Sequence, residues 1–182
     1  MPNVVAINVS KCTGCRICEV ACSLKHVKEC NPERSLIRVV MTEEGGQLDF
    51  VPVTCLQCEK AMCELVCPAG AVTRDPKTGA KIVSAQKCIG CSACCYACPF
   101  GACFLDRTLR RALVCDQCDG DPTCVKLCPT GALQYLRADQ INIALKRAGA
   151  QRLLDVGKVA REAAATATGA SQALMQGITD TG

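Results

Sequence analysis

Apolar residues in this chain fall into short runs cut by turn residues, and a longer period emerges only near its end. Val4 to Val9 is short and β-branched and predicts an opening strand. Leu36 to Met41 and Phe50 to Val53 flank Glu44-Gly45-Gly46, which predicts a hairpin. Asp75-Pro76-Lys77-Thr78-Gly79 is a second turn signal, with Lys81-Ile82-Val83 as its return strand. Glu19 to Lys25 has the composition of a helix. After Leu136 the period lengthens: Ile141, Leu145 and Ala148 fall at i, i+4 and i+7, and Leu153, Val156, Ala160 and Ala163 form a second stripe. Asp139 is placed to cap this stretch, Gly149 and Gly157 interrupt it, and the Thr-, Ser- and Gly-rich sequence from Thr166 predicts fraying. No apolar run approaches the ~20 residues that a membrane span requires.

Between these elements one chemical unit recurs. Cys88, Cys91, Cys94, Cys98 and Pro99 spell C-x2-C-x2-C-x3-C-P, the bacterial ferredoxin pattern for holding [4Fe–4S] cubanes on thiolates. Three cysteines at three-residue intervals can turn their sulfurs onto three irons of one cube. The fourth is carried away by the following turn and ligates the neighbouring cluster. The first such motif is Cys12, Cys15, Cys18 and Cys22, with Ser23 where the others have proline, so its exit is expected to continue as helix. The second is Cys55, Cys58, Cys63 and Cys67, and the fourth is Cys115, Cys118, Cys124 and Cys128; both widen the gap before the third cysteine and keep the terminal C-x3-C-P. Their exits repeat as well: Pro68-Ala69-Gly70-Ala71, Pro99-Phe100-Gly101-Ala102 and Pro129-Thr130-Gly131-Ala132. Such recurrence marks a repeated unit of cluster loop, turn and short strand. Sixteen cysteines in four motifs supply ligands for four [4Fe–4S] clusters.

Composition strengthens this picture. The chain has no Trp, two Tyr and three Phe among 182 residues, and its 49% hydrophobic content is inflated by nineteen cysteines. A core so thin in large apolar side chains needs inorganic staples. A secreted disulfide framework is the other reading of so many cysteines, but the count is odd, the N-terminus has no apolar leader pattern, and random disulfide spacing does not repeat C-x2-C four times. Metal ligation in a reducing cytoplasm is expected instead. The formal charge of +4 is deceptive, because each oxidised cubane with its four thiolates carries about −2, bringing the holoprotein to roughly −4. Its basic residues are scattered, so they read as compensation for inorganic charge rather than as a nucleic-acid footprint.

Several residues stand outside the pattern. His26, the one histidine, is expected to face solvent or cap a helix. Cys30 reads as a spare or packing thiol. Cys91, Cys95 and Cys98 embed C-x3-C-x2-C, a spacing associated with radical S-adenosylmethionine enzymes, but the rest of the chain is too short and cysteine-crowded for their barrel. Cys95 and Cys103 therefore read as packing thiols. Asp119-Gly120-Asp121-Pro122 reads as a turn. Lys11, Arg16, Lys87 and Lys126 stand beside motif cysteines, where a cation raises a cluster's potential if it faces the site and is merely solvated if it faces out.

Four motifs in order, with Cys12-Thr13-Gly14-Cys15 and Asn31-Pro32-Glu33-Arg34-Ser35, resemble the four-cluster ferredoxin-like electron-transfer subunits of molybdenum and tungsten oxidoreductases over residues 4–136. The small soluble members, above all the partners of bacterial tungsten aldehyde oxidoreductases, look most similar. The resemblance implies that motif one pairs with motif four and motif two with motif three. It thereby implies ligand sets Cys12, Cys15, Cys18 and Cys128; Cys115, Cys118, Cys124 and Cys22; Cys55, Cys58, Cys63 and Cys98; and Cys88, Cys91, Cys94 and Cys67. The expected fold is α+β: tandem ferredoxin-like modules with short β-hairpins in a domain at 1–136, then a helical tail at 137–182, frayed after about 166. No catalytic residue is expected, and the role is that of a conductor between a catalytic oxidoreductase subunit and a flavin or ferredoxin partner. The short members lack the tail, which is expected to reach out as an arm, with head-to-tail self-association as one use of it, folding back over its own cluster domain being the competing use. The rival readings are a freely diffusing polyferredoxin and a zinc-binding scaffold, since C-x2-C pairs also build zinc sites.

Overall fold

A computed structural model describes residues 3–44, 46–141 and 158, and divides the chain into two units, Met1–Ala138 and Asp139–Gly182. In chain order the first unit contains β1 (Asn3–Ile7), α1 (Ile17–Val27), β2 (Ile37–Glu44), β3 (Gln47–Thr54), α2 (Met62–Leu65), β4 (Val72–Arg74), β5 (Lys81–Val83), α3 (Ala93–Tyr96), β6 (Phe104–Asp106), β7 (Arg111–Leu113), α4 (Thr123–Lys126) and β8 (Leu133–Arg137). The strands form antiparallel two-stranded ribbons. Three are hairpins, β2–β3, β4–β5 and β6–β7, and the fourth joins β1 to β8 across the whole unit.

Each ribbon follows from its local sequence. The β2–β3 hairpin pairs Ile37 with Thr54 and continues to Glu44 opposite Gln47, so the β-branched run extends further than its apolar residues alone predict. The Asp75 turn closes by side-chain capping, since Asp75 Oδ1 accepts from the Lys77 N–H at 2.8 Å and Arg74 donates to the Gly79 carbonyl at 2.6 Å. β1 stops at Ile7, two residues short of the predicted strand. Its partner Leu133 is the first residue of β8, and beyond that register the N–H of Asn8 goes to the Ala132 carbonyl at 2.8 Å while Val9–Lys11 tighten into a 3-10 turn.

α1 carries two motif-one cysteines, Cys18 and Cys22, into the interior. Ser23, in the position proline holds elsewhere, is fully buried; its hydroxyl donates to Val20 O at 3.0 Å and accepts from the Asn31 N–H at 3.2 Å. A proline there would remove a helical N–H, so serine is what lets this exit run on as helix.

Two cores result, and both are built around sulfur. The first joins Val5, Leu36, Ile37, Val39 and Leu133 to Cys18, Cys22, Cys115 and Cys124; the second joins Ala61, Val72, Ala112 and Val114 to Cys63, Cys94 and Cys103. Motifs one and four thus supply the buried sulfur of one core, and motifs two and three, with Cys103, that of the other. Residues 138–141 begin a helix; the apolar stripes expected from Leu145 to Ala163 lie outside the described residues. Among the described residues, no helix is long and apolar enough to cross a membrane.

Candidate metal centres

The loops that carry the cysteines share one backbone device. The residue before each motif's second cysteine has a left-handed backbone: Gly14 (φ 71°), Gln57 (54°), Gly90 (71°) and Gln117 (61°). In motif three the reason for glycine is contact: a Cβ on Gly90 would lie 2.7 Å from the Arg110 carbonyl oxygen, and one on Gly14 would lie 2.5 Å from the Phe50 ring. Motifs two and four accept the strain of glutamine at this position and repay it with buried hydrogen bonds. Gln57 donates to Cys115 O at 2.6 Å and accepts from the Lys81 N–H at 2.6 Å. Gln117 donates to Asn3 O at 2.7 Å and accepts from the Tyr135 hydroxyl at 3.2 Å. Composition had not singled out these latches, though the recurrence of C-x-Q-C in Cys55–Cys58 and Cys115–Cys118 was a signal for them.

The exit turns aim amides at sulfur. Gly70, Gly101 and Gly131 donate to the carbonyls of Cys67, Cys98 and Cys128 at 3.2, 3.2 and 3.3 Å, and the Ala71 N–H reaches Cys67 Sγ at 3.2 Å. Burial would push the Cys67 thiol up, but the N–H groups of Val72, Ala71, Ala69 and Gly70 outweigh it and hold the thiol below its ordinary value. Cys128 is lowered in the same way: burial opposes, while Leu133 N–H, the Thr130 hydroxyl and Ala132 N–H prevail. Motif one has no such turn, and Leu36 N–H supplies Cys22 Sγ instead, at 3.3 Å.

Three hollows open among these loops. One is lined by Cys88, Cys91, Cys94 and Cys67, one by Cys12, Cys15, Cys18 and Cys128, and one by Cys55, Cys58, Cys63 and Cys98. Each takes three cysteines from one motif and the exit cysteine of another. The remaining set is Cys115, Cys118, Cys124 and Cys22, in which burial first, and then the neighbouring Cys115, Cys22 and Cys118, push the Cys124 thiol up.

The chemistry of these donors fits iron–sulfur clusters. Burial pushes the Cys115 thiol up to about 12, and those of Cys55 and Cys18 up to about 11. Thiolates in such places need positive charge among the sulfurs, which iron supplies. Spacing agrees. Among the described residues, the groups of three candidate ligand atoms within 4.8 Å of one another are Cys94, Cys95, Cys103 and His26, Asp116, Cys118. None of the four cysteine sets is that tight, whereas four sulfurs on one tetrahedral zinc at ~2.3 Å sit about 3.8 Å apart.

Lys11, Arg16, Lys87 and Lys126 are all exposed, the solvated alternative of the sequence reading, and Lys126 is paired with Asp121. Two cations line hollows: Arg16, at the rim of the Cys12–Cys128 hollow, and Lys81, 1% exposed, which lines the Cys55–Cys98 hollow and pairs with Glu64. His26 corrects its expectation. Four residues beyond Cys22 on α1, it falls on the same inward face, half-buried, with Nε2 3.6 Å from Cys118 Sγ and 3.5 Å from Asp116 Oδ1. Hydrogen bonds to Cys118 and Cys22 outweigh burial and raise its pKa to about 10. Asp119 lies in a turn, with Cys118 and Asp119 at φ 49° and 58°, and Asp116 accepts from Cys118 N–H at 2.9 Å. Cys30 is exposed, while Cys95 and Cys103 lie side by side.

The 4Fe-4S dicluster domain family matches residues 46–138, a span that includes motifs two, three and four. The chain is 43% identical over 124 residues to the aliphatic sulfonate oxidoreductase polyferredoxin-like subunit of Pyrococcus furiosus, covering 68% of this chain and 70% of that protein. It is 37% identical over 158 residues to the electron transport protein HydN of Escherichia coli, covering 73% and 87%. To the thiosulfate reductase electron transfer subunit PhsB of Salmonella typhi it is 35% identical over 144 residues, covering 73% and 74%.

Proposed function

The chain belongs to the 4Fe-4S dicluster domain family, as an electron-transfer iron–sulfur subunit of oxidoreductase complexes, and on that premise we propose that it holds four [4Fe–4S] clusters. Cys12, Cys15, Cys18 and Cys128 hold one, and Cys115, Cys118, Cys124 and Cys22 its neighbour. Cys55, Cys58, Cys63 and Cys98 hold a third, and Cys88, Cys91, Cys94 and Cys67 the fourth. The observation that carries this reading is the lining of three hollows by exactly such cross-motif sets of four. The same exchange of exit cysteines defines two ferredoxin-like modules in tandem, motifs one with four and two with three.

Each cluster, when bound, supplies a one-electron redox centre. The protein's own contribution is to hold and tune. The Ala71 amide at Cys67 and the Leu36 amide at Cys22 stabilise thiolate, Lys81 adds positive charge at the Cys55–Cys98 hollow, and His26 offers a hydrogen bond to Cys118. The apolar walls of the two cores keep water from the buried sulfurs.

The partner we propose is the catalytic subunit of a molybdenum or tungsten oxidoreductase, with an aldehyde as the preferred substrate class and a flavin protein or ferredoxin at the other end. The relatives' names, an oxidoreductase subunit and a reductase electron transfer subunit, support a fixed complex over a freely diffusing carrier. Residues 138–182, beyond β8, serve as a helical arm for that partner or for a second copy, and the reducing cytoplasm is the compartment that suits so many thiols.

Iron, acid-labile sulfide and zinc measured on anaerobically purified protein test the reading. About sixteen iron and sixteen sulfide per chain are expected. About four zinc with no sulfide would overturn it in favour of a scaffold.

A further inference from the structure

Three cysteines stand outside the sixteen: Cys30, Cys95 and Cys103. Cys30 is exposed. The other two come together from separate elements, Cys95 on α3 and Cys103 one residue ahead of β6, with their sulfurs 3.2 Å apart. Cys103 is 6% exposed in the second core, whereas Cys95 is half-buried and is the sulfur a small molecule reaches first. On its other side Cys103 donates a hydrogen bond to Cys94 Sγ at 3.7 Å.

We propose that Cys95 and Cys103 form a redox-active pair that closes reversibly to a disulfide by exchange with a small-molecule disulfide such as oxidised glutathione. A disulfide needs its sulfurs about 2.05 Å apart, so closing draws them in by about 1.2 Å, within reach of small side-chain rotations. The exchange balances as two displacements. The Cys95 thiolate attacks one sulfur of the small disulfide, forming a mixed disulfide and releasing one small thiolate. The Cys103 thiolate then attacks Cys95 Sγ, forming the Cys95–Cys103 bond and releasing the second. Two protein thiols are oxidised, one small disulfide is reduced to two thiols, and the two protons leave on those thiols.

Closure has a second effect, which rests on the four-cluster reading. The disulfide has no S–H, so Cys103 no longer donates to Cys94. Hydrogen bonds to a ligand sulfur raise a cluster's potential, and losing this one lowers the potential of the centre held by Cys88, Cys91, Cys94 and Cys67. The pair thereby reports the thiol poise of its surroundings to one centre among four.

Anaerobically purified holoprotein is equilibrated with graded ratios of reduced and oxidised glutathione. It is then denatured with a chelator and light iodoacetamide, reduced, and labelled with heavy iodoacetamide, while iron and sulfide are counted in parallel. Heavy label is expected at Cys95 and Cys103 together, rising with the oxidised share and reversed by dithiothreitol, with iron and sulfide constant. In Cys103→Ser, Cys95 is expected to stop at the glutathione adduct. Light label on both residues at every ratio that leaves iron bound overturns the proposal, as does heavy label confined to the sixteen. Redox titration by electron paramagnetic resonance should show one centre moving to lower potential on oxidation in wild type and none in Cys103→Ser. Paired heavy label on protein that lacks iron and sulfide would sink the cluster reading and leave the disulfide; sixteen iron without the label would do the reverse.

Discussion

Arg34 Nε donates to Asp106 Oδ2 at 2.8 Å, tying the turn before β2 to the end of β6. The Asp106 side chain is 2% exposed, and its second oxygen accepts from the Leu109 N–H at 2.8 Å. Arg34 lies in Asn31-Pro32-Glu33-Arg34-Ser35, a segment without ligands, where Asn31 caps a 3-10 turn by accepting from Glu33 N–H at 3.1 Å. This segment's work is to clasp the motif-one half of the unit to the motif-three hairpin.

Burial would raise the Asp106 carboxyl, but donation from Leu109 and the Arg34 guanidinium outweighs it and holds the group below its ordinary range. A depressed carboxylate contributes its stability in full above the unfolded value of about 3.9 and loses it as pH falls through the lower folded value. Between pH 6 and 8.5 Asp106→Asn should therefore lower the thermal midpoint by several degrees, and by the same amount throughout. A loss that changes across that window, followed by circular dichroism, would refute the assignment.

Gly90→Ala should do more harm than Gly70→Ala. Both put a side chain at positive φ, a strain of about 1–2 kcal/mol. Only at Gly90 does the new methyl also strike backbone, 2.7 Å from Arg110 O, while nothing lies within 4 Å at Gly70. Overpacking adds about 1–3 kcal/mol. Iron retained after mild heating should rank wild type, Gly70→Ala and Gly90→Ala in descending order; equal losses in the two variants would show that Arg110 yields freely.

Lys81→Met removes a buried cation from the Cys55–Cys98 hollow while keeping its packing volume. One centre should move to lower potential by on the order of tens of millivolts, since each kcal/mol of lost charge interaction is about 43 mV for a one-electron couple. Glu64, left without its partner, is 41% exposed and can be hydrated. Redox titration detects the shift, and an unmoved potential would reduce Lys81 to a packing element. Lys11→Met, on the exposed surface, serves as the control.

His26→Ala should leave iron and sulfide unchanged and lower the potential of a different centre, the one served by Cys118. Hydrogen bonds to charged groups are worth about 1.5–3 kcal/mol, and the part that differs between redox states reaches the potential. A variant that loses iron without any potential change would make the histidine a structural prop.

The sequence carried the chemistry further than it carried the contacts. C-x2-C spacing and the repeated C-P-x-G-A exits are local, so the cluster loops, the β2–β3 hairpin and the Asp75 turn were all legible from neighbouring residues. The β6–β7 hairpin was not, because Phe104–Asp106 and Arg111–Leu113 are each three residues long and carry charge. Lys81 is in the sequence only the first residue of a return strand; its burial depends on Gln57, which fixes its backbone, and Glu64, which pairs its ammonium. His26 reads as a helix-end residue until α1 is rotated to bury Cys22. Cys95 and Cys103 are ordinary small residues in the text of the chain, and only the fold makes them neighbours. In each case the deciding partner lies far along the sequence, beyond the reach of spacing rules.

The pairing of β1 with β8 puts the first and last strands of the unit in one ribbon, and this dictates an order of birth. On the ribosome, Cys55 to Cys98 can emerge and find one another while β8 is still unmade. In the proposed four-cluster arrangement Cys12, Cys15 and Cys18 wait for Cys128, and at about 5–20 residues per second that wait is on the order of ten seconds. The outer centres are thus finished last, so a cell short of iron delivery would accumulate chains closed in the middle and open at both ends, with β1 exposed as a bare strand edge.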